Sequence, residues 1–319
     1  MVEPTRETPS PTHYWAPRPL NDISRAIEII AEVSGCSPAA VVARLKKEHE
    51  ELGANVREDL LRRQVPPYRF SDRMAEFYAA TDAFLYEIYC WNRYPLKQAI
   101  RKWMVAFLQQ NFRAPARVLS FGDGLGFDST GLALAGHQVT YFEVGRLSQA
   151  FSEHIFSDNR VQVTRCHCAE KLPREGFDVV VCLDVLEHVP QPPNLVRQLA
   201  GWLKPGGFLI VHAPFWLLTE AVCTHLTDNL QYSGDWRRLY GAAGLRIVDG
   251  AFMWNPLALQ KAGGPKTLLM SPWTRAKVAY GGFLLRCSRW CRFPLTWISS
   301  SITHQESRDL LRDTVFPTL

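Results

Sequence analysis

The segment VLSFGDGLG, residues 118–126, decides the fold, because four residues suited to a buried strand run directly into a glycine-rich turn. The residues after the turn, as far as Ala135, carry apolar side chains at helical spacing. Strand, tight turn and helix in this order are typical of the first unit of a parallel sheet. Glycines at such a turn allow a ligand to approach the backbone closely.

The same alternation continues along the chain and predicts an α/β fold. Short apolar segments predict further strands at residues 138–143, 161–164, 177–183 and 208–212. A helix is predicted over residues 195–203, followed by a Pro-Gly-Gly turn. Apolar strands separated by helices indicate a Rossmann-like parallel sheet with helices on both faces, and ligands bind such sheets at the carboxyl ends of the strands.

The flanking regions differ from this central part in composition. Residues 1–20 are rich in proline and polar residues and predict a flexible arm, and residues 21–110 predict a helical N-terminal cap region. Nine aromatic residues between Phe77 and Phe107 favour a helical core over the lining of a substrate site. The central domain is predicted over residues 111–255, and residues 256–319 form a basic C-terminal extension.

Composition and charge exclude several classes of protein. Apolar residues make up 47% of the 319 residues and charged residues 21%, which is typical of a chain with a packed core. The longest uncharged apolar run is shorter than a membrane span, no signal peptide is evident, and eight cysteines without a regular framework favour a cytoplasmic protein. The net charge of +5 comes from the C-terminal extension, so no nucleic-acid substrate is expected.

The glycine-rich turn argues against a dinucleotide. Counting from Gly122 or from Gly124, the third glycine of a G-x-G-x-x-G motif is replaced by Phe127 or by Ser129. Glu143 closes the second predicted strand, 17 residues after Gly126. A carboxylate at that point can accept hydrogen bonds from both hydroxyls of a ribose.

Three segments in series, residues 118–143, 177–189 and 203–208, resemble the class I S-adenosylmethionine-dependent methyltransferases. The stretch from His225 to Leu245 is similar to a segment of the small-molecule subgroup. The resemblance covers residues 110–255 and implies a seven-stranded sheet with an antiparallel hairpin at its edge. It also implies S-adenosyl-L-methionine as the cofactor.

The resemblance assigns the cofactor residues one by one. The glycine loop would lie under the methionine part, Glu143 on the ribose, and residues 168–170 beside the adenine. The family usually has an acidic residue where this chain has Ser120, and Asp123 is the candidate to replace it. The expected cofactor-binding residues are Gly122, Asp123, Gly124, Gly126, Glu143, Cys168, Ala169, Glu170 and Asp184.

The candidate catalytic residues are Asp184, His188 and His225, since removal of a proton from the acceptor needs a base near the strand ends. Asp184, Glu187 and His188 have the spacing of one helix face. With His225 they resemble a divalent-metal arrangement found in some family members. A metal-free role in proton transfer or positioning is the favoured hypothesis, and an ordinary structural role stays open.

The predicted function is transfer of a methyl group from S-adenosylmethionine to an O, N or C atom of a small metabolite or natural-product intermediate. Two alternatives are a non-catalytic S-adenosylmethionine-binding or scaffold protein and an enzyme of another class on the same fold. The basic residues 273–297 could contact an anionic membrane, although packing on the domain is favoured. The sequence leaves the substrate, the metal dependence and the oligomeric state open.

Overall fold

A computed structural model of the protein describes residues 14–250 and 256–290. Within these residues the chain forms one seven-stranded sheet in the order β3-β2-β1-β4-β5-β7-β6. The strands are β1 Arg117–Phe121, β2 Gln138–Phe142, β3 Val163–Cys166, β4 Phe177–Leu183, β5 Leu203–His212, β6 Leu245–Gly250 and β7 Leu257–Lys261.

The sheet is parallel except at one edge. β1 to β5 pair in parallel, and β7 pairs antiparallel with both β5 and β6. The predicted α/β fold with an antiparallel edge hairpin is therefore confirmed. β5 is longer than predicted, because Leu203 pairs with Phe177 and the expected turn at residues 204–207 lies inside the strand.

Eleven α-helices lie within the described residues. They are α1 Ile23–Ser34, α2 Pro38–Glu50, α3 Ala54–Arg62, α4 Asp72–Ala80, α5 Ala83–Arg93, α6 Pro95–Asn111, α7 Phe127–Leu134, α8 Arg146–Asp158, α9 Pro192–Trp202, α10 Trp236–Tyr240 and α11 Pro272–Cys287. In the region expected to be helical from Ser71 to Leu108, the chain breaks into three helices, and Pro95 begins the third because it cannot continue α5. Among the described residues, no single helix is long and apolar enough to cross a membrane. Helices α1 and α2, which meet at a bend of 113°, have the length and composition of a membrane span only when they are taken together.

Both faces of the sheet are covered because side chains alternate along each strand. Leu119 and Val180 point to the face that α9 covers, while Val118 and Val179 point to the opposite face. The cover on that opposite face comes from α6, which contributes Ile100, Met104, Phe107 and Leu108.

The N-terminal helices are therefore part of the same core as the sheet. Residues from α1, α2 and α5 pack on α8 and on Leu125 of the glycine-rich turn. Within the arm predicted for residues 1–20, residues 14–20 are packed: Leu20 is buried and the carbonyl of Trp15 accepts from Arg101, 2.8 Å away. Residues 1–13 lie outside the described part.

The boundary predicted at residue 255 does not coincide with the end of the sheet. β7 begins at Leu257, inside the predicted C-terminal extension, and pairs with both β5 and β6. The extension therefore supplies one strand to the central domain, and α11 packs against β6 beyond it.

Buried charged side chains link α6 to the edge of the sheet at which the parallel strands end. The ammonium of Lys97 lies 3.0 Å from the carboxylate of Asp184 and 3.2 Å from that of Asp128, and all three side chains are largely buried. Arg101 donates to the second oxygen of Asp128 at 2.7 Å. Burial lowers the pKa of Lys97, but the two carboxylates outweigh burial and leave it above its usual value.

Replacing Lys97 by Met should destabilise the fold by about 3–5 kcal/mol, because it leaves two buried carboxylates without their shared cation. Urea unfolding followed by circular dichroism measures the loss. Lys204→Met is the matched control: it breaks a more exposed ion pair with Asp178 and should cost about 1 kcal/mol or less. Equal losses in the two variants would contradict the structural importance of the Lys97 bridge.

Candidate active site

A cavity of about 1090 Å³ lies at the carboxyl ends of β1, β2, β4 and β5. Its walls come from three parts of the chain: the loops after these strands, helices α4 and α5, and the segment between Pro214 and His225. A single drug-sized ligand occupies a pocket of about 300–1,000 Å³, so the volume is suited to a cofactor together with an acceptor.

The glycine-rich turn borders this cavity through Gly122 and Gly124, both with positive φ. A side chain at Gly122 would meet Val185 at 2.5 Å, and one at Gly124 would meet Ile88 of α5 at 3.0 Å. The turn thus needs glycine for close packing as well as for its backbone conformation. Gly126 precedes α7 and packs against α8, outside the cavity lining.

Asp123 has a different position from the one expected. Its carboxylate accepts from the backbone N–H of Asp128 at 3.1 Å and of Ser129 at 2.6 Å, in the first turn of α7. It is not among the cavity-lining residues, so it does not take over the ligand contact of an acidic residue at Ser120, which is itself buried. The prediction overlooked that a carboxylate before a helix is attracted by the free N–H groups of its first turn.

Glu143 lies in the cavity wall, where the sequence placed it. One carboxylate oxygen accepts from the N–H groups of Val144 and Gly145, each at 2.8 Å, and the other accepts from Gly124 at 2.9 Å. Burial raises the pKa of Glu143, and these three N–H groups act in the opposite direction. The oxygen that accepts only from Gly124 keeps a free acceptor position, so the carboxylate can bind a ribose hydroxyl.

The predicted adenine segment does not border the cavity. Cys168, Ala169 and Glu170 are absent from its lining, and the thiol of Cys168 donates to Glu170 at 2.8 Å. The cavity wall nearest Glu143 includes Phe142 and Val144 instead. The adenine role of residues 168–170 stays a prediction without support from the cavity geometry.

Asp184 is held by three partners at once. One oxygen accepts from Nε1 of Trp91 and from Lys97, each at 3.0 Å, and the other lies 2.5 Å from Nδ1 of His212. Burial would raise the pKa of Asp184, but the charges of Lys97 and His212 hold it well below its usual value. Asp184 also has a φ of 58°, a strained conformation for a residue other than glycine.

The expected helix face of Asp184, Glu187 and His188 does not form. Residues 186–188 make a single 3-10 turn, so Asp184 lies apart from the other two residues. Glu187, His188 and His225 come together instead, with one ligand atom from each within 4.8 Å of the others. A cation, a proton or a polar substrate group could be held there.

Glu187 is the chemically unusual member of this cluster. It is 1% exposed, lines the cavity, and neither carboxylate oxygen has a hydrogen-bond partner. Burial, and secondarily the charge of Asp184, raises its pKa well above the usual value. Nε2 of His225 is the nearest basic atom, 4.0 Å from one oxygen.

The two histidines are oriented by hydrogen bonds, and burial disfavours their charged forms. Nδ1 of His225 donates to the carbonyl of Leu217 at 2.7 Å, which leaves Nε2 with its lone pair on the side of Glu187. Nδ1 of His188 and the hydroxyl of Tyr78 share a hydrogen bond of 3.0 Å. Burial lowers the pKa of His188 to about 4 and that of His225 well below its usual value.

The contribution of side chains from the N-terminal helices to the cavity wall was not predicted from the sequence. Tyr78, Phe84, Glu87 and Trp91 all line the cavity, whereas the aromatic residues were interpreted mainly as helix core. That interpretation holds for neighbours such as Tyr89, which is buried. The spacing of Phe84, Glu87 and Trp91 on one helix face was the available signal, because it places a carboxylate within an apolar stripe.

The comparisons with known proteins agree with this fold. The sequence model of a methyltransferase domain family matches residues 87–249. The ubiquinone biosynthesis O-methyltransferase of Marinobacter nauticus is 38% identical over 104 residues, 31% of this chain and 44% of the relative. Its counterpart in Pseudomonas putida is 39% identical over 99 residues, 30% of this chain and 42% of the relative. The match thus spans less than half the length of these relatives.

Among solved structures, magnesium protoporphyrin IX methyltransferase from Synechocystis, with bound S-adenosylhomocysteine, covers 52% of this chain and 84% of its own. Its sequence identity is 19% and the TM-score is 0.42. A methyltransferase from Burkholderia thailandensis, bound to 1,6-didemethyltoxoflavin and S-adenosylhomocysteine, covers 52% of this chain and 79% of its own, at 17% identity and a TM-score of 0.39.

Proposed function

Since the chain belongs to the class I S-adenosylmethionine-dependent methyltransferases, we propose that it transfers a methyl group from this cofactor to an O, N or C atom of a small metabolite or natural-product intermediate. The observation that supports this proposal is one continuous cavity, with Glu143 and the glycine turn in its wall and the unpartnered Glu187 facing the same space. The small-molecule acceptor, the cytoplasmic location and contact of the basic extension with a membrane belong to the same proposal.

The residues around Glu143 fit the proposed cofactor. Gly122 and Gly124 leave the cavity wall without side chains, and the Glu143 carboxylate has a free acceptor position for a ribose hydroxyl. When bound, the cofactor supplies a methyl group on a sulfonium, an excellent leaving group. The chain's own task is then to align the acceptor, exclude water and take up any proton that the acceptor loses.

Glu187 is the best-placed proton acceptor. Its carboxylate oxygens have no hydrogen-bond partner, and its own backbone N–H and the charge of Lys97 offset burial only in part. The carboxylate of Asp184, by contrast, is engaged by Lys97, Trp91 and His212. We therefore assign Asp184, predicted as a catalytic residue, a positioning role. Neutral His188 and His225 lie beside Glu187 and can orient the acceptor or share its proton.

The cavity also selects the charge of the acceptor. Among the described residues that line it, none is Lys or Arg, whereas Glu87 and Glu187 face the space where an acceptor would lie. A carboxylate or phosphate group would be buried there without a cationic side chain to neutralise it, which is unfavourable. The proposed acceptor is therefore neutral or cationic.

Glu143→Ala should weaken S-adenosylhomocysteine binding by about 2–4 kcal/mol, because a charge-assisted hydrogen bond to the ribose is lost together with the three backbone hydrogen bonds that Glu143 accepts at this wall. Isothermal titration calorimetry measures the affinity. Glu143→Gln keeps one acceptor oxygen, so its affinity should lie between those of wild type and Glu143→Ala. Glu170→Ala tests the predicted adenine segment and should bind normally, since Glu170 is absent from the cavity lining. Normal binding by a folded Glu143→Ala would refute the ribose assignment.

Methyl transfer is tested with a metabolite extract and isotope-labelled cofactor, using mass spectrometry to find the labelled product. Glu187→Gln should lower kcat by about 10²–10⁴-fold, the usual contribution of a general base, while S-adenosylhomocysteine affinity stays unchanged. Labelled products should lack carboxylate and phosphate groups near the methylated atom. Unchanged kcat in Glu187→Gln would exclude this residue as the base. The absence of any labelled product would contradict methyl transfer and favour a non-catalytic S-adenosylmethionine-binding or scaffold protein.

The cluster of Glu187, His188 and His225 also allows a direct test of metal dependence. We expect full turnover after exhaustive chelation and desalting, because Asp184, the fourth ligand expected from the sequence, is occupied by Lys97 and His212. Loss of turnover that Mg²⁺ or Mn²⁺ restores would establish a metal-assisted reaction in place of proton transfer by the residues alone.

A further inference from the structure

Helix α11 is seated on the domain by one narrow face. Val278, Gly281, Gly282 and Leu285 are buried, and the hydroxyl of Ser233 donates to the carbonyl of Leu285 at 2.9 Å. A side chain at Gly282 would meet the ring of Trp236 at 3.0 Å, so the helix approaches its neighbour closely. These contacts fix which side of α11 faces outward.

The outward side is aromatic. Trp273 is 72% exposed, and Tyr280 and Phe283 follow it at helical spacing on the same face. Trp290, just beyond the helix, is 93% exposed. Of the eight large apolar side chains exposed in the described residues, five lie in residues 269–290, so the exposure is concentrated in one patch.

The charged residues along this segment of the chain have a single sign. Residues 250–305 contain seven Lys or Arg and no Asp or Glu. On α11 itself, Arg275 and Arg286 are eleven residues apart, which places both along one border of the aromatic face, and Lys277 lies on the other border. Arg286 also donates to the carbonyl of Gly234 at 3.0 Å, which holds its guanidinium at this position.

We propose that the outward face of α11 docks on the surface of an anionic lipid bilayer, beyond any role in methyl transfer. Trp and Tyr side chains prefer the boundary between lipid headgroups and acyl chains, because one part of the ring is apolar and another forms hydrogen bonds. Flanking Arg and Lys side chains add attraction to anionic headgroups. The helix lies in the plane of the membrane, with its opposite face on the protein.

Sedimentation with phospholipid vesicles tests the proposal on the full chain. Wild type should bind vesicles of phosphatidylcholine with phosphatidylglycerol at low salt, bind pure phosphatidylcholine much more weakly, and detach as salt rises. The triple variant Trp273→Ser, Tyr280→Ser, Phe283→Ser should reduce the partition coefficient by about tenfold or more. Arg275→Gln with Lys277→Gln should reduce it by about fivefold per charge and flatten its salt dependence.

Leu61→Ser is the matched control, since Leu61 is 70% exposed on α3, outside this patch, and should leave vesicle binding unchanged. S-adenosylhomocysteine affinity should be unchanged in all these variants, which separates this proposal from the proposed methyl transfer. Absence of wild type from sedimented anionic vesicles at low salt would overturn the proposal. So would a dimer in light scattering that only the triple variant dissociates, because a second copy would then cover the face.

Discussion

The ammonium of Lys97, buried between the carboxylates of Asp128 and Asp184, is the interaction on which the rest of the structure depends. It joins α6 of the N-terminal region to the helix after the glycine turn and to the end of β4. A buried ion network of this kind tolerates no missing member, because any unpaired charge would have to stay out of water. The N-terminal helices and the sheet therefore form one folded unit.

This network also determines which acid is available for chemistry. Asp184 and Glu187 are three residues apart, yet burial has opposite consequences for them. Lys97 and His212 hold the pKa of Asp184 well below its usual range, whereas burial without a partner raises that of Glu187. Two carboxylates whose environments push their pKa values apart usually have different roles. This difference supports the proposed roles, in which Asp184 fixes geometry and Glu187 accepts a proton.

The parts of the structure that local sequence determines could be predicted. Apolar periodicity located the first five strands, whereas the edge hairpin of β6 and β7 was expected only from the family resemblance. The turn chemistry of residues 122–126 located the cavity edge with Glu143 beside it. The predictions were wrong where contacts with residues far away in the sequence determine the position of a side chain. Asp184 is drawn away from Glu187 by Lys97 and Trp91, 87 and 93 residues earlier in the chain, and no spacing rule contains such partners. Asp123 is a local error, since its capping role was readable from the helix that follows.

Backbone hydrogen bonds tie the N-terminal region to the segment after β5, and both parts of the chain contribute residues to the cavity wall. The N–H of Tyr68 donates to the carbonyl of Cys223, and its own carbonyl accepts from Thr227. Any movement that separates these two parts of the chain must break these backbone hydrogen bonds. The exposed part of the lining includes Glu50, Glu51 and Glu220, so the acidic character continues from the rim to Glu187. The rim carboxylates would repel an anionic acceptor on entry, and no Lys or Arg lines the described cavity to neutralise it in the site, so discrimination by charge acts along the whole path.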